Sequence, residues 1–286
     1  MTDLQPAPPH RDLVSDLEDR LRDLGDVVVA FSGGVDSSLL AHVALSTLGP
    51  QRVLAVTADS ASLATGELEH CAGSAQAWGL PWTTVRTDEL DDPRYVANGG
   101  DRCGWCKTAL MERLTPIAAE RGATVVLGVN VDDLGDHRPG QEAAAALGAR
   151  FPMVDAGLTK ADVRAASRAR GLSVWDRPAM PCLSSRVPYG TAVTVELLGT
   201  LDRAERAVRA LGFDDVRVRH LGDTARVEVP RHRLADAAEV ADDLVAALEA
   251  LGYRYVTLDL AGLRSGNLNG ALSASGGVAL PDPPAG

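Results

Sequence analysis

The sequence predicts an α/β protein, in which a parallel sheet carries helices on both faces, followed by a smaller C-terminal α+β domain. Two observations predict the first part: short runs of consecutive apolar residues, and helical segments that alternate with those runs. A third observation predicts the second part, because polar and apolar residues alternate in the runs that follow Gly190.

The domain organisation follows from these changes in pattern. We expect the α/β domain over residues 13–188 and the α+β domain over residues 189–270. The terminal stretches, residues 1–12 and 271–286, are rich in Pro, Ala, Ser or Gly and are predicted to be disordered tails.

The elements of the first domain are assigned from apolar spacing and from helix-terminus signals. The predicted strands are 27–31, 53–57, 82–86 and 124–128. The predicted helices are 13–24, 37–48, 66–78, 106–120 and a helix that runs to about Arg170. That last helix opens with the capping box of Thr159 and Asp162.

The second domain is predicted to have the order αββαβ. Its helices are 193–211 and 234–251, and its strands are 216–219, 225–229 and 255–260. This order gives a small mixed sheet with helices.

Composition excludes several classes of function. Lys and Arg total 28 against 39 for Asp and Glu, a net charge of −11, which disfavours nonspecific binding to a phosphate backbone. Aromatic residues are only 4%, which disfavours a base-stacking surface. No apolar run approaches the roughly 18 residues of a membrane span. No secretory signal is visible at the N-terminus, so we expect a cytoplasmic protein with reduced thiols.

The strongest local motif lies between the first strand and the next helix. It reads Ser32, Gly33, Gly34, Val35, Asp36 and Ser37. Glycines allow close backbone approach, and successive N–H groups at a helix N-terminus bind anions. A carboxylate at Asp36 would repel a bare phosphate, so it suits a site that also holds a metal ion.

This motif resembles the PP-loop of the ATP pyrophosphatases. The resemblance implies an adenine-nucleotide alpha-hydrolase-like fold and cleavage of ATP to AMP and pyrophosphate with Mg²⁺. By the same resemblance, Asp59 and Ser60 would line the adenosine pocket, although a simple turn is the alternative there. The PP-loop alone does not choose among amide synthetases and sulfur-inserting enzymes.

The cysteines narrow that choice, because reduced thiols in this pattern are better interpreted as metal, cluster or catalytic groups than as disulfides. Cys103 and Cys106 have CxxC spacing, and Cys182 lies far along the chain. Nearby cations, namely Arg102, Lys107 and Arg186, favour the thiolate form. Three thiols could hold three irons of a 4Fe–4S cluster and leave one iron open. Cys71 sits in mid-helix and is more simply a core residue.

Four further segments resemble the LarE family, whose members are ATP-dependent sulfurtransferases acting on pyridinium-3,5-biscarboxylic acid mononucleotide. These segments are 128–140, 158–160, 178–190 and 256–260 with Arg264. The resemblance spans roughly residues 12–270, and the Asn-x-Asp-Asp and Cys-Leu-x-Ser-Arg segments are more restrictive than the PP-loop.

The resemblance implies that ATP adenylates a substrate carboxylate and that sulfur then displaces AMP, giving a thiocarboxylate for a nickel-pincer cofactor, the cofactor of lactate racemase and related enzymes. The family has two sulfur sources. In one form the cysteine at the position of Cys182 gives up its own sulfur, and in the other form three cysteines bind a 4Fe–4S cluster that carries sulfide. The presence of Cys103 and Cys106 beside Cys182 favours the cluster form. The implied cofactors are ATP, Mg²⁺ and the cluster.

Site residues carry over by position. Catalytic roles fall to Cys182, Asp36 and Lys107, and Asn130 and Asp133 join the nucleotide site. Asp132, Asp133 and Arg138 follow a strand's carboxyl end, where open α/β sheets bind ligands. The candidate substrate-binding residues are Arg138, Ser185, Arg186, Arg217, Arg219 and Arg264. Arginine forks suit a substrate phosphate, although a solvated strand face is the alternative for Arg217 and Arg219. Glu205 and Asp236 are the candidate metal ligands.

Three other functions stay open: a PP-loop tRNA thiolase, an ammonia-using amide synthetase, and a non-catalytic nucleotide-binding module. The acidic charge disfavours the first, and the unused thiols disfavour the second. The expected partners are a small-molecule nucleotide substrate, a sulfide source, other proteins of cofactor biosynthesis and further copies of this chain, with no membrane and no nucleic acid.

Overall fold

The computed structural model describes residues 13–135 and 139–264. It divides into two compact units. Of the described residues, the first unit takes in 13–60, 66–88, 104–135 and 139–177, and the second takes in 61–65, 89–103 and 178–264. The predicted tails 1–12 and 271–286 lie outside the described residues.

The described residues form the following helices and strands. The strands are β1 Val27–Ala30, β2 Val53–Asp59, β3 Trp82–Arg86, β4 Thr124–Leu127, β5 Arg217–Leu221, β6 Thr224–Glu228 and β7 Tyr255–Leu258. The α-helices are α1 Leu13–Leu24, α2 Val35–Leu48, α3 Glu67–Trp78, α4 Pro93–Val96, α5 Arg102–Arg121, α6 Pro139–Ala146, α7 Pro152–Asp155, α8 Lys160–Ala169, α9 Val195–Ala210, α10 Leu234–Glu239 and α11 Ala241–Glu249. Short 3-10 helices lie at Glu89–Asp91, Val131–Gly135, Leu183–Arg186 and Arg231–Arg233.

The sheet of the first unit is parallel, in the order β3-β2-β1-β4. Because β1 pairs with β2 on one side and with β4 on the other, the direction of winding reverses between β1 and β4. Open α/β sheets bind ligands at such a reversal, beyond the carboxyl ends of the strands. The loops after β1 and β4 are therefore placed where a ligand site is expected.

Both faces of this sheet are covered, as the apolar runs predict. Val27 and Val29 of β1 belong to an apolar cluster that includes Leu17 of α1 and Leu39 of α2. Val28, which points to the other face, belongs to a second cluster with residues of α5. The predicted α/β class is confirmed.

From α9 onward the second unit follows the predicted order αββαβ, except that two helices, α10 and α11, replace the predicted second helix. Strand β6 lies in the centre, antiparallel to β5 and parallel to β7. Its apolar core joins residues of α9, the three strands and α11.

Two predicted helices differ from the structure. The segment 234–251 forms two helices, because Val240 leaves helical geometry at φ −103° and ψ 25°. Helix α5 begins at Arg102 and not at Cys106, so Cys103 also lies inside the helix.

The predicted domain boundary near residue 188 also differs from the observed division after Arg177. Asn98 explains part of the difference. The side-chain amide of Asn98 donates to the backbone carbonyls of Pro188 (2.8 Å) and Thr191 (3.0 Å). The backbone carbonyl of Asn98 accepts from Gly190 N–H. These bonds join 89–103 to the later chain in one unit.

Within the described ranges, the structure has no helix both long enough and apolar enough to span a bilayer.

Candidate functional site

The PP-loop, residues 32–37, connects β1 to α2 in the first unit. Two serines close it: Ser37 Oγ lies 3.2 Å from the Gly34 carbonyl, to which it donates. The same oxygen accepts from Ser32 N–H at 3.2 Å and lies 3.1 Å from Ser32 Oγ. The loop is therefore held by its own hydroxyls at the N-terminus of a 14-residue helix, where backbone N–H groups favour an anion.

Gly128, which follows β4, lets that helix approach the sheet. A Cβ at this position would lie 2.6 Å from Ser37 N and 2.8 Å from Ser37 Cα. No side chain fits there, because real Cβ atoms do not approach backbone this closely. The glycine thus fixes how near the start of α2 sits to the end of β4.

Asp36 is held between two side chains from later in the sequence. Asn130 Nδ2 donates to Asp36 Oδ1 at 3.0 Å, and Lys160 Nζ lies 2.5 Å from Asp36 Oδ2. The Asp36 side chain keeps 21% of its surface exposed and that of Lys160 keeps 36%, so both reach solvent. The structure therefore brings Asp36 and Asn130 together, as predicted, and adds Lys160.

Lys160 was not among the site residues predicted from the sequence. Two signals pointed to it: it is one of two lysines in the chain, with Lys107, and it lies in the segment 158–160. It is also the first residue of α8, where Thr159 caps the helix and forms the predicted capping box with Asp162.

The turn after β4 is built from its own polar side chains. Asn130 Oδ1 accepts from Asp132 N–H at 3.0 Å, and Asp133 Oδ2 accepts from Asn130 N–H at 3.2 Å. Asp132 Oδ2 accepts from Lys160 N–H at 2.8 Å. Asp132 and Asp133 thus position Asn130 and Lys160, which both contact Asp36.

Asp59 and Ser60 lie where β2 ends, at the same edge of the sheet as the PP-loop. The Asp59 carbonyl accepts from Thr87 N–H at 3.3 Å, and its side chain is exposed. This position fits a role in binding the nucleoside part of a ligand.

The arrangement in the first unit suits a metal-bound polyphosphate. Backbone N–H groups and hydroxyls of the loop can donate to an anion, and the partly exposed Asp36 carboxylate beside them has oxygen ligands of the kind that Mg²⁺ prefers. Lys160 adds a point charge that can contact phosphate oxygens.

The second unit contains Cys182 on a short turn, residues 181–186, which we call the cysteine turn. The buried Arg186 side chain holds this turn: its Nη1 donates to the carbonyls of Pro181 (2.6 Å) and Cys182 (3.3 Å) and to Ser185 Oγ (2.9 Å). Arg186 therefore fixes the backbone beneath the thiol, a role that differs from the predicted contact with substrate.

Arg186 is also part of a buried ion pair. Its Nε and Nη2 lie 2.7 and 3.2 Å from the two Glu205 carboxylate oxygens, and both side chains are at most 1% exposed. Arg209 Nη2 and Val218 N–H donate to the same carboxylate, at 3.0 and 3.2 Å. Burial of two charges is tolerated because each is fully hydrogen-bonded.

The predicted metal role of Glu205 and Asp236 gains no support from this geometry. Arginines already neutralise Glu205, and Asp236 is exposed and pairs with Arg233 at 2.5 Å. In the part of the chain that the structure describes, no group of three His, Cys, Asp or Glu side chains is placed to hold a metal ion.

Arg217 and Arg219 are both buried on β5, so the solvated strand face is excluded for them. Arg219 pairs with the buried Glu228 at 2.5 Å, whereas Arg217 donates to the carbonyls of Arg264 (2.9 Å) and Ala179 (3.3 Å). Burial, then the like charges of Arg186 and Arg219, lowers the pKa of Arg217. This concentration of positive charge is suited to an anion. Arg264 contributes its carbonyl, and its side chain is exposed.

Arg102, which our sequence analysis named only as a nearby cation, is buried beside the thiols. Its Nη1 donates to Asn98 Oδ1 at 2.5 Å and to the Ser184 carbonyl at 2.8 Å. Burial acts to lower the pKa of Arg102. The nearby ionisable groups, first Cys182 and then Cys103, have the larger combined effect, so the pKa is raised. Ser184 in turn shares a 2.6 Å hydrogen bond with Tyr95 Oη.

The remaining predicted residues are placed as follows. Cys103 is exposed, and Cys106, Lys107 and Ser185 are half-buried. Cys71 is buried in the core, as predicted, and burial raises the pKa of its thiol to about 11. Arg138 lies outside the described residues.

Comparisons with known proteins identify relatives over most of the chain. The NAD synthase family model matches residues 11–92, which include the PP-loop. The chain is 44% identical over 254 residues to an uncharacterized protein of Synechocystis sp., covering 88% of this chain and 94% of that protein. It is 40% identical over 254 residues to the pyridinium-3,5-bisthiocarboxylic acid mononucleotide synthase of Lactiplantibacillus plantarum, covering 88% of this chain and 92% of that enzyme. A third relative, the glutamine-dependent NAD(+) synthetase of Rhodobacter capsulatus, is 36% identical over 101 residues, 32% of this chain and 18% of that enzyme.

Proposed function

The chain belongs to the family of pyridinium-3,5-bisthiocarboxylic acid mononucleotide synthases, and on that basis we propose that it transfers sulfur to an adenylated carboxylate of pyridinium-3,5-biscarboxylic acid mononucleotide. The product serves nickel-pincer cofactor biosynthesis. Similarity to the plantarum enzyme over nearly the full length of both chains supports the whole reaction, whereas the short match to an NAD synthetase supports only the nucleotide half.

The single observation that carries the proposal is the cysteine turn. An amide synthetase that uses ammonia has no need of a thiol. Here Arg186 binds two carbonyls and one hydroxyl of the turn that bears Cys182, and Arg102 binds a fourth group, the Ser184 carbonyl. Such dense hydrogen bonding around one thiol indicates that its position matters to the chemistry.

We assign adenylation to the first unit. Bound Mg²⁺ would lie at Asp36 and would neutralise phosphate charge. The PP-loop N–H groups and Lys160 would bind the β- and γ-phosphates, while Asn130 orients Asp36. A substrate carboxylate oxygen attacks the α-phosphorus, the bond to the β-phosphate oxygen breaks, and pyrophosphate leaves. Lys107 is proposed to stabilise charge on the leaving groups.

We assign the substrate phosphate to Arg217 and Arg219 on β5. Arg217 is a buried cation that donates to carbonyls, and burial, followed by the like charges of Arg186 and Arg219, lowers its pKa. A phosphate dianion would relieve that repulsion.

For sulfur delivery we propose the cluster form, in which Cys103, Cys106 and Cys182 hold a 4Fe–4S cluster whose open iron carries a sulfide. Thiolates are the usual ligands of such clusters, and Cys103 and Cys106 lie three residues apart on α5. Within the described residues no three His, Cys, Asp or Glu side chains are grouped as metal ligands, so this structure does not show such a site.

In the second candidate Cys182 itself is consumed, which the dense hydrogen bonding of the cysteine turn would support. The Cys182 sulfur attacks the acyl-adenylate carbonyl, AMP leaves, and a thioester forms. Loss of the Cys182 α-proton then breaks the Cβ–S bond, so that the product leaves as a thiocarboxylate and the protein keeps dehydroalanine. No oxidant or reductant is required.

Mass spectrometry of one reaction separates the two forms. Protein prepared without oxygen and supplied with iron and sulfide is mixed with ATP, Mg²⁺ and the biscarboxylate mononucleotide, and both protein and small molecules are weighed. Thiolated product in excess over an unaltered protein supports the cluster form. Product matched one-to-one by protein that has lost H₂S supports the consumed cysteine.

Serine variants give the matched controls. Cys103→Ser and Cys106→Ser abolish turnover if the cluster is required and leave the single turnover intact if Cys182 alone acts. Cys182→Ser stops thiolation in both cases. Absence of both AMP and thiolated product from the wild-type protein would refute the proposed function.

A further inference from the structure

The carbonyl of Gly33 in the PP-loop accepts two side-chain hydrogen bonds. His70 Nε2 lies 3.3 Å from this oxygen, and Arg177 Nη1 donates to it, also at 3.3 Å. His70 is on α3, and Arg177 follows α8 by several residues. Two donors from distant segments therefore converge on one peptide of the loop, and our sequence analysis assigned neither.

The direction of this peptide follows from its geometry. In a trans peptide, the C=O and N–H bonds point to opposite sides. Because the Gly33 carbonyl points toward His70 and Arg177, the N–H of Gly34 in the same peptide points away from them. Gly33 has φ +70°, a left-handed conformation that favours glycine and allows this orientation.

Arg177 is itself fixed. Its Nη2 donates to Glu67 Oε1 at 2.7 Å, and the two side chains are 23% and 12% exposed. Glu67 is the first residue of α3, and His70 lies one turn later. A single helix end thus positions both donors to Gly33.

The contact between α3 and the PP-loop leaves no spare room. A Cβ at Gly33 would lie 2.9 Å from Cys71 Sγ and 3.0 Å from His70 Cδ2. The charged neighbours of His70 are Arg177 and Glu67. Burial of the ring is the main cause that lowers the pKa of His70, and the positive charge of Arg177 is the second. A neutral ring with the proton on Nε2 is then the form that donates to Gly33 at neutral pH.

We propose that His70 and Arg177 are positioning residues that hold the Gly33–Gly34 peptide with its N–H directed at the pyrophosphate part of ATP. The proposal rests on the proposed function of the PP-loop and extends it. A donor whose direction is set before the ligand arrives needs no reorganisation when charge develops on the leaving pyrophosphate. The two side chains act through the loop and touch neither ATP nor the reacting atoms.

The test uses the full chain with Mg²⁺ and inorganic pyrophosphate, and separately with ATP, in titration calorimetry. We expect His70→Ala and Arg177→Met each to weaken binding about tenfold, because either change would leave the Gly34 N–H less well directed at the phosphate. His70→Gln keeps an N–H near the Nε2 position and should bind within about threefold of wild type. Arg168→Gln, on α8 and stacked on Trp175 without contact to the loop, is the matched control and should bind as wild type.

A double variant separates positioning from general destabilisation. If both side chains act on one peptide, His70→Ala with Arg177→Met should bind only about twofold more weakly than either single variant, because the two effects are not independent. Thermal unfolding is measured for each protein. If the Arg177 variant does not fold, the comparison of His70→Ala with His70→Gln decides the matter alone.

Two results have different meanings. If the wild-type protein binds magnesium pyrophosphate and His70→Ala binds it equally well, or if His70→Gln is as impaired as His70→Ala, the positioning role is overturned. If the wild-type protein binds neither ATP nor pyrophosphate, the proposed function of the PP-loop fails instead.

Discussion

Lys160 Nζ lies 2.5 Å from Asp36 Oδ2, although 124 residues separate the two in sequence. The pair joins the first turn of α2 to the first residue of α8. Both side chains reach solvent, so a ligand that enters can contact either charge. A metal ion on the carboxylate and a phosphate on the ammonium would replace the pair with two stronger contacts.

Replacing Lys160 by Met should lower the rate of pyrophosphate release about 100-fold, the usual loss when one preorganised donor to developing charge is removed. Release is measured with a coupled pyrophosphate assay at saturating substrate. Arg52→Gln, which removes an exposed ion pair with Asp26, is the control and should release pyrophosphate at the wild-type rate. An unchanged rate in Lys160→Met would show that the ammonium serves only the fold.

Gly128→Ala should destabilise the protein by about 1–3 kcal/mol, because its Cβ would meet the backbone of Ser37. Gly73→Ala is the opposite case. Gly73 lies in the interior of α3, and a Cβ there would meet nothing within 4 Å, so the change should stabilise by up to about 1 kcal/mol. Urea unfolding of both variants measures the sign of each change in the free energy of unfolding. Equal effects would contradict the close approach of Gly128 to the backbone of Ser37.

Arg186→Met should lower the free energy of unfolding by about 3–5 kcal/mol, because the buried Glu205 carboxylate would lose the ion pair with Arg186. Arg206→Gln breaks an ion pair with Asp202 in which the arginine side chain is 52% exposed. This change should lower the free energy of unfolding by less than about 1 kcal/mol. Denaturant midpoints of the two proteins give the comparison. A mild loss in Arg186→Met would mean that water replaces the guanidinium.

Acid should destabilise the fold through three histidines. Burial lowers the pKa of His42, His70 and His220 from the ordinary value of 6.5. The unfolded chain therefore binds protons more readily, so the stability from these groups is complete above pH 6.5 and is lost as pH falls through their folded pKa values. Thermal unfolding followed from pH 7.5 to 5 should show a falling Tm.

His220→Gln should flatten that dependence, because the buried ring that resists protonation is gone. His232→Gln, at an exposed position, should leave the pH profile of Tm as it is in wild type. Identical profiles for wild type and His220→Gln would assign the acid sensitivity to other groups.

Local pattern was sufficient for most of the fold. The bounds of α1 and β3 are as predicted from leucine spacing and from a short β-rich run, and the capping box at Thr159 forms as its residues indicate. These features depend on neighbours within about four residues, which the sequence displays directly.

Long-range contacts were not predictable in the same way. No periodicity shows that Lys160 meets Asp36, that Arg177 meets Gly33, or that Asn98 binds carbonyls beyond residue 187. The split at Val240 was also missed, because the apolar spacing continues across it while the backbone leaves helical geometry at one residue. The metal role expected for Glu205 did not take into account Arg186, which binds this carboxylate from 19 residues away in the sequence.

The second unit is assembled from three separated stretches of chain. During synthesis, its early stretches must therefore wait for the last one before the unit can fold. The Asn98 amide binds the carbonyl of Thr191, 93 residues later. At roughly 5–20 residues per second of translation, Asn98 waits about 5–20 s for this partner. During that interval β4, the last strand of the first unit's sheet, is synthesised, whereas residues 89–103 still lack their partners from the later chain. The sheet of the first unit is therefore synthesised before the second unit can close.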